Sequence, residues 1–224
     1  MAKINAILGK MQGRIGNIVF ATVQGVVTGR ERPMTVLNPK TAKQEEQRMR
    51  FSLYATLAGR CNAWLSKVFK NLDGYERGNF LSAFVGYNFK HDKTAAEHQG
   101  GIDGTYPALV LNYPYIQFSP ATGNLSDGAD LAGSINEGTI TISWEDESAN
   151  VDNCNADDVC MALVICETKR QVLSNTTGAA RSTRQLLIEL PLDWEGETVQ
   201  VYTVFRDKNW EKFSQTHFVG ALSE

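Results

Sequence analysis

Cysteine and histidine are scarce in this chain, and their spacing closes off several chemistries. Four cysteines and three histidines stand among 224 residues. Cys154, Cys160 and Cys166 follow one another at intervals of six, which matches no zinc-ligand pattern. On a strand, Cys160 and Cys166 share a face but lie about 20 Å apart by strand rise, too far to bond to each other. They read as small buried apolar residues. His91 and His98 are seven apart, whereas zinc pairs on one helix sit three to five apart. Cys61 falls on the apolar face of a helical pattern, a poor place for a thiolate. No serine stands in a GxSxG nucleophile elbow. The glycines of GKMQGRIG (Gly9, Gly13, Gly16) precede a strand, while a phosphate loop must follow a strand and open a helix. No apolar run approaches the ~18 residues of a membrane span. The opening MAKINAILGK lacks the long apolar stretch and cleavage site of a secretion signal. These absences point to a protein made and used in a cytoplasm, or packaged from one, with no cofactor, no metal and no enzymatic machinery.

What is present is ordinary globular material, 42% hydrophobic and 21% charged, enough for one large domain or two small ones. The charge is not evenly spread. Residues 1–70 hold twelve Lys/Arg and three Asp/Glu, net +9, and residues 71–224 hold ten and twenty-two, net −12. Self-repulsion disfavours such segregation. It implies either two attracting halves of one molecule, or a positive half that meets the negative half of the next copy or nucleic acid.

The expected fold class is α+β: an N-terminal β-hairpin plus a helical hairpin, then an immunoglobulin- or fibronectin type III-like β-sandwich. Ile18 to Val23 and Val26 to Thr28 favour strands around a tight turn at Gln24-Gly25. Such a ribbon is marginal alone and must lie on another element or chain. Pro33 and Pro39 hold the next segment extended. Thr41 and Gln44 give a capping-box pattern for a helix over about 42–70. Met49, Leu53, Leu57, Cys61, Trp64 and Val68 recur at helical spacing along it, and Gly59 is a place for it to bend. A second helix is expected near 77–87. The expected domains are residues 1–90 as hairpin arm and helical assembly module, 91–110 as a polar linker, and 111–224 as the sandwich.

Beyond the linker the apolar period changes to two. Ile140, Ile142 and Trp144 alternate with polar residues, and strands are expected over 108–118, 159–167, 184–190, 199–206 and 213–222. Turn signals such as Asn136-Glu137-Gly138 and Trp194-Glu195-Gly196 separate them. Ile140, Ile142, Trp144, Val201 and Tyr202 form the expected sandwich core.

Two charged clusters are candidates for binding. Arg14, Arg30, Arg32, Lys40, Lys43, Arg48 and Arg50 crowd the front of the chain. They suit a solvated helix face, an acidic protein surface, or a phosphate backbone, though without the interleaved aromatics of a nucleic-acid groove. The loop EDESANVDNCNADD (145–158) is rich in carboxylates but fails the calcium-loop spacing, since counting from Asp152 places Cys154 and Asp157 where a ligand and glycine are needed.

Taken in order, KINAILGKMQGRIGNIVF, NPKTAKQEEQRMRF, TISWEDES, LPLDWEGETVQVYTVFRD and FSQTHFVGAL resemble an uncharacterised family found in Bacteroidetes genomes and their phages, including crAss-like phages. The resemblance runs through nearly the whole chain, with Pro39, Thr41, Gln44, Gln47, Arg48 and Phe51 marking the helix start. It implies a non-enzymatic structural role in a tailed-phage virion. A neck or tail ring subunit is expected, partnered by copies of itself and other virion proteins and made in a host bacterial cytoplasm. The alternatives are a capsid decoration protein, a DNA-binding architectural protein, or an enzyme or carbohydrate-binding module using the sandwich loops.

Overall fold

The computed structural model describes residues 2–4, 12–23, 26–33, 41–69, 79–91, 96–98, 109–149 and 151–224. The chain divides into two compact units, Met1–Ala42 and Lys43–Glu224.

The first unit is a four-stranded antiparallel sheet of β1 (Ala2–Ile4), β2 (Gly13–Ile15), β3 (Ile18–Val23) and β4 (Val26–Glu31), in the order β1-β4-β3-β2. The expected hairpin is its centre, with Val23 paired to Val26. The Gln24-Gly25 turn itself lies outside the described residues.

The second unit opens with α1 (Ala42–Arg60), α2 (Asn62–Val68) and α3 (Phe80–His91). The expected single helix over 42–70 is therefore interrupted. Cys61, with φ −87° and ψ 15°, separates α1 from α2, and its carbonyl accepts both Trp64 N–H at 3.0 Å and Leu65 N–H at 2.9 Å. The break comes two residues after Gly59, where it lets the apolar face of α2 turn toward the sheet beneath. β5 (Ala96–His98) and β6 (Leu109–Leu111) form a separate antiparallel pair. They occupy part of the expected linker and of the expected strand over 108–118. The remainder of 91–110 lies almost wholly outside the described residues.

Seven strands then build two sheets: β7 (Ala129–Asn136), β8 (Thr139–Glu145), β9 (Val159–Cys166), β10 (Gln171–Ala180), β11 (Gln185–Glu189), β12 (Val199–Arg206) and β13 (His217–Leu222). Their orders are β11-β8-β7 and β10-β9-β12-β13. This is an α+β fold with an immunoglobulin/fibronectin type III-like sandwich. Two of its strands, β7 and β10, escape the sequence pattern. Both are half-covered sheet edges: β7 (ADLAGSIN) alternates, but its inward positions include small Ala129 and Gly133, and β10 (QVLSNTTGAA) is polar without clean alternation.

The central strands β9 and β12 of the sandwich are buried on both faces, and this explains their near-continuous apolar runs VCMALVIC and VQVYTVF. On one face Cys160, Ala162, Val164 and Cys166 of β9, with Val199, Val201 and Phe205 of β12, meet Ile140, Ile142 and Trp144 of β8. On the other, Met161, Leu163, Ile165, Tyr202 and Val204 pack with Leu57, Trp64, Leu65, Phe84 and Phe118. The helices are thus a third layer on the sandwich. The expected partition at residues 90–110 does not describe this part of the chain, because α1–α3 share a core with the sheet that follows them. The reason is period two: neighbouring residues on a strand point to opposite faces, and both faces here are apolar. It also moves Tyr202 out of the expected sandwich core. Val201 lies between the sheets, whereas Tyr202 faces the helices and donates its hydroxyl to the Tyr113 carbonyl at 2.9 Å.

Polar side chains pin the layers together. Trp64 Nε1 donates to the Phe118 carbonyl at 3.0 Å, and Trp144 Nε1 to the Arg181 carbonyl at 2.8 Å. Arg60 Nη1 and the Tyr113 hydroxyl both donate to Glu167 Oε2, at 3.0 and 2.7 Å. At one end of the sandwich Arg181 is fully buried. It lies 3.9 Å from the Asp158 carboxylate and stacks 4.0 Å from the Phe205 ring centre. Gly178, at φ +66°, sits in the β9–β10 irregularity, where a Cβ would run into the Cys160 carbonyl oxygen.

Candidate functional site

The N-terminal sheet carries three of the expected cations, and its register sets where they stand. Gly16, at φ +60°, takes the first position of the two-residue loop between Ile15 and Ile18, a conformation that favours glycine at tight hairpins. Arg14 Nε donates to the Gly16 carbonyl at 2.8 Å, and Arg32 N–H to the Asn17 carbonyl at 2.7 Å, which closes the loop against the end of β4. Arg14 pairs with Val19, and Val19 with Arg30. Directly opposed residues share a face, so Arg14, Val19 and Arg30 form one transverse row, with the two arginines about 10 Å apart by strand spacing. Ala21 and Val26 extend this face. Ile15, Ile18, Phe20 and Val27 occupy the other.

Neither face closes a core of its own among the described residues. Ile15 is 64% exposed, Ile18 45% and Val26 42%, and among the residues of the sheet whose burial is described Val27 alone is buried.

The remaining expected cations belong to other elements. Lys40 lies outside the described residues. Lys43 falls in the first turn of α1, in the second unit. Arg48 is exposed on that helix, and Arg50 Nη2 meets Glu46 Oε1 at 3.1 Å one turn earlier, in the favourable order of acid before base. The single cationic arm read from the sequence is therefore distributed over two units.

Other chemistries find little to work with. All four cysteines are free thiols and buried. Burial pushes Cys61 up to about 12, against a lesser opposing pull from Arg60, and raises Cys160 also. Such thiols are protonated and shielded at neutral pH. In the acidic loop, Asp158 Oδ2 accepts Asn155 N–H at 2.7 Å and faces Arg181, while Asp157 pairs with Lys208 at 3.2 Å. Asp146 is held below the usual carboxylate range by hydrogen bonds from Ser148. These acids serve the fold, and among the described residues no group of three or more His, Cys, Asp or Glu is arranged to hold a metal.

One feature of the sandwich has no counterpart among the expected site residues. A cleft of about 650 Å³ lies between the β7–β8 turn and the loop joining β11 to β12. Ile135, Leu190 and Trp194 help to line it, with Glu137 and Glu195 beside them. Leu192 is 93% exposed there. The sequence signals for it, NEG and LPLDWEG, read only as turns.

A family model matches residues 10–220, almost the whole length. The chain belongs to DUF6266, a family of unknown function. The DUF6266 match begins just before β2 and ends within β13, so it takes in both compact units. No curated protein is significantly similar to the chain.

Proposed function

We propose that this chain is a structural protein of a tailed-phage virion, a neck or tail ring subunit that joins its neighbours through the N-terminal sheet. The observation that carries this reading is the incomplete burial of that sheet. Strands of three to six residues leave Ile15, Ile18 and Val26 largely uncovered. A sheet this small is stabilised by burying its apolar face on a further surface, and apolar residues left exposed together on a sheet suit contacts with other molecules. The charge asymmetry supports contacts between unlike surfaces, which close into rings when the rotation allows. The virion setting is supported by the resemblance of the glycine-rich hairpin and helix start to proteins of Bacteroidetes phages.

Sedimentation of the purified full chain tests the reading. A ring or larger oligomer is expected, and Ile15→Asp with Ile18→Asp dissociates it without loss of circular dichroism. A wild-type chain that stays monomeric through the micromolar range sinks the proposal.

The row of Arg14 and Arg30 on one face also favours a second reading, an architectural protein gripping duplex DNA. Its binding to duplex would fall steeply with rising salt, and no binding at low salt eliminates it.

A further inference from the structure

The cleft on the sandwich and the cationic face of the N-terminal sheet are complementary. We propose that the cleft receives the Arg14–Val19–Arg30 face of a second copy of this chain, so that subunits join head to tail. This rests on the self-assembly reading above and adds a second contact to it, since Arg14, Val19 and Arg30 lie on the face opposite Ile15 and Ile18.

Three observations carry the proposal. First, Leu192 projects almost wholly into solvent from a turn fixed by its own backbone. Trp194 N–H bonds to the Pro191 carbonyl at 2.9 Å, and Leu190 N–H to the Gly138 carbonyl at 2.8 Å. Beside Ile135, Leu190 and Trp194 of the cleft, Leu192 adds apolar surface that a docked partner would cover. Second, the lining combines apolar Ile135, Leu190 and Trp194 with the carboxylates of Glu137 and Glu195, both exposed. The candidate face has the inverse pattern, an apolar residue flanked by two guanidiniums. Third, the charges of the two units oppose each other. Residues 1–42 hold six Lys/Arg and one Asp/Glu, net +5, and residues 43–224 hold sixteen and twenty-four, net −8. A positive face meeting a negative cleft gains both encounter rate and register.

A head-to-tail contact uses two different surfaces, and this makes it separable by mixing. Two full-length variants are needed, one with Arg14→Glu and Arg30→Glu, the other with Glu137→Arg and Glu195→Arg. Sedimentation is run on each alone and on an equimolar mixture, with circular dichroism as the check on folding. Each variant alone is expected to lose association by at least tenfold. The mixture holds one intact sheet face with one intact cleft, and a reversed face whose charge suits the reversed cleft, so association is expected to return in the mixture though each variant lacks it alone. Leu192→Ser alters an almost fully exposed side chain, so it keeps the test open if charge reversal disturbs the fold; it too is expected to weaken assembly. If the cleft variants assemble as wild type does, or the mixture remains two monomers, the cleft is not the receptor, although self-assembly by another surface stands. A wild-type chain that does not assemble overturns both.

Discussion

Asn88 offers a direct test of whether the helices and the sandwich are one body. It is fully buried on α3. Its Nδ2 donates to the Phe84 and Gln117 carbonyls, both at 3.0 Å, and its Oδ1 accepts Gln117 N–H at 2.9 Å. The side chain therefore supplies both backbone partners of Gln117, the residue between Ile116 and Phe118 of the helix–sheet core. Asn88→Ala removes three bonds and leaves the Gln117 N–H and carbonyl without those partners. Each such group costs about 1–3 kcal/mol when buried, and Gln117 is only half-buried, so the lower part of that range applies to each. The expected loss is about 2–4 kcal/mol, which lowers the melting temperature by roughly 4–16 °C for a chain of this size. The assay is thermal and urea unfolding followed by far-ultraviolet circular dichroism and by tryptophan fluorescence. Both signals should shift together, because Trp64 lies in the helical layer and Trp144 between the sheets. A loss below about 0.5 kcal/mol, or a helical signal that melts apart from the tryptophan signal, would refute the three-layer account.

The remaining predictions concern buried charge and buried thiols. Asp158→Asn leaves Arg181 buried without its carboxylate and should cost about 3–5 kcal/mol, whereas Arg181→Met, which removes the charge and keeps an apolar stem against Phe205, should cost less; equilibrium unfolding of the two variants decides, and the reverse order contradicts the assignment. Cys61 rises from 9.0 to about 12 on burial. A raised value means the folded state holds a proton that the unfolded chain releases, so this contribution is complete below pH 9 and falls as pH rises toward 12, by up to about 1.4 kcal/mol per pH unit. Urea midpoints measured from neutral to alkaline pH should show that decline, with buried Tyr202 acting in the same direction. Thiol labelling at mildly alkaline pH should be slow in the native state and reach four equivalents on unfolding; rapid native labelling would show that the thiols are accessible.

Much of this fold is legible in the sequence because it is written in local periodicity. The hairpin at Ile18–Val23 and Val26–Glu31, the apolar stripe from Leu53 to Val68, and the alternation of Ile140, Ile142 and Trp144 each follow from spacing. What escapes is non-local. β7 and β10 are edge strands and show themselves only through their partners. Tyr202 and Val201 look alike in sequence, yet one residue of offset on a strand sends them to different cores. The row of Arg14 and Arg30 requires the register of three strands, although the residues stand sixteen positions apart.

The sequence by itself determined the N-terminal hairpin, the helical stretch and the alternating core strands, the segregation of charge and the absence of zinc, elbow and phosphate-loop motifs, since these depend on residue type and short-range order. Only the tertiary structure decided that the helices cover the outer face of the sandwich, and that Leu192, Glu137 and Glu195 gather around one cleft. Both follow from how distant segments share a surface, because burying the second apolar face of β9 and β12 demands a layer that no local pattern can name.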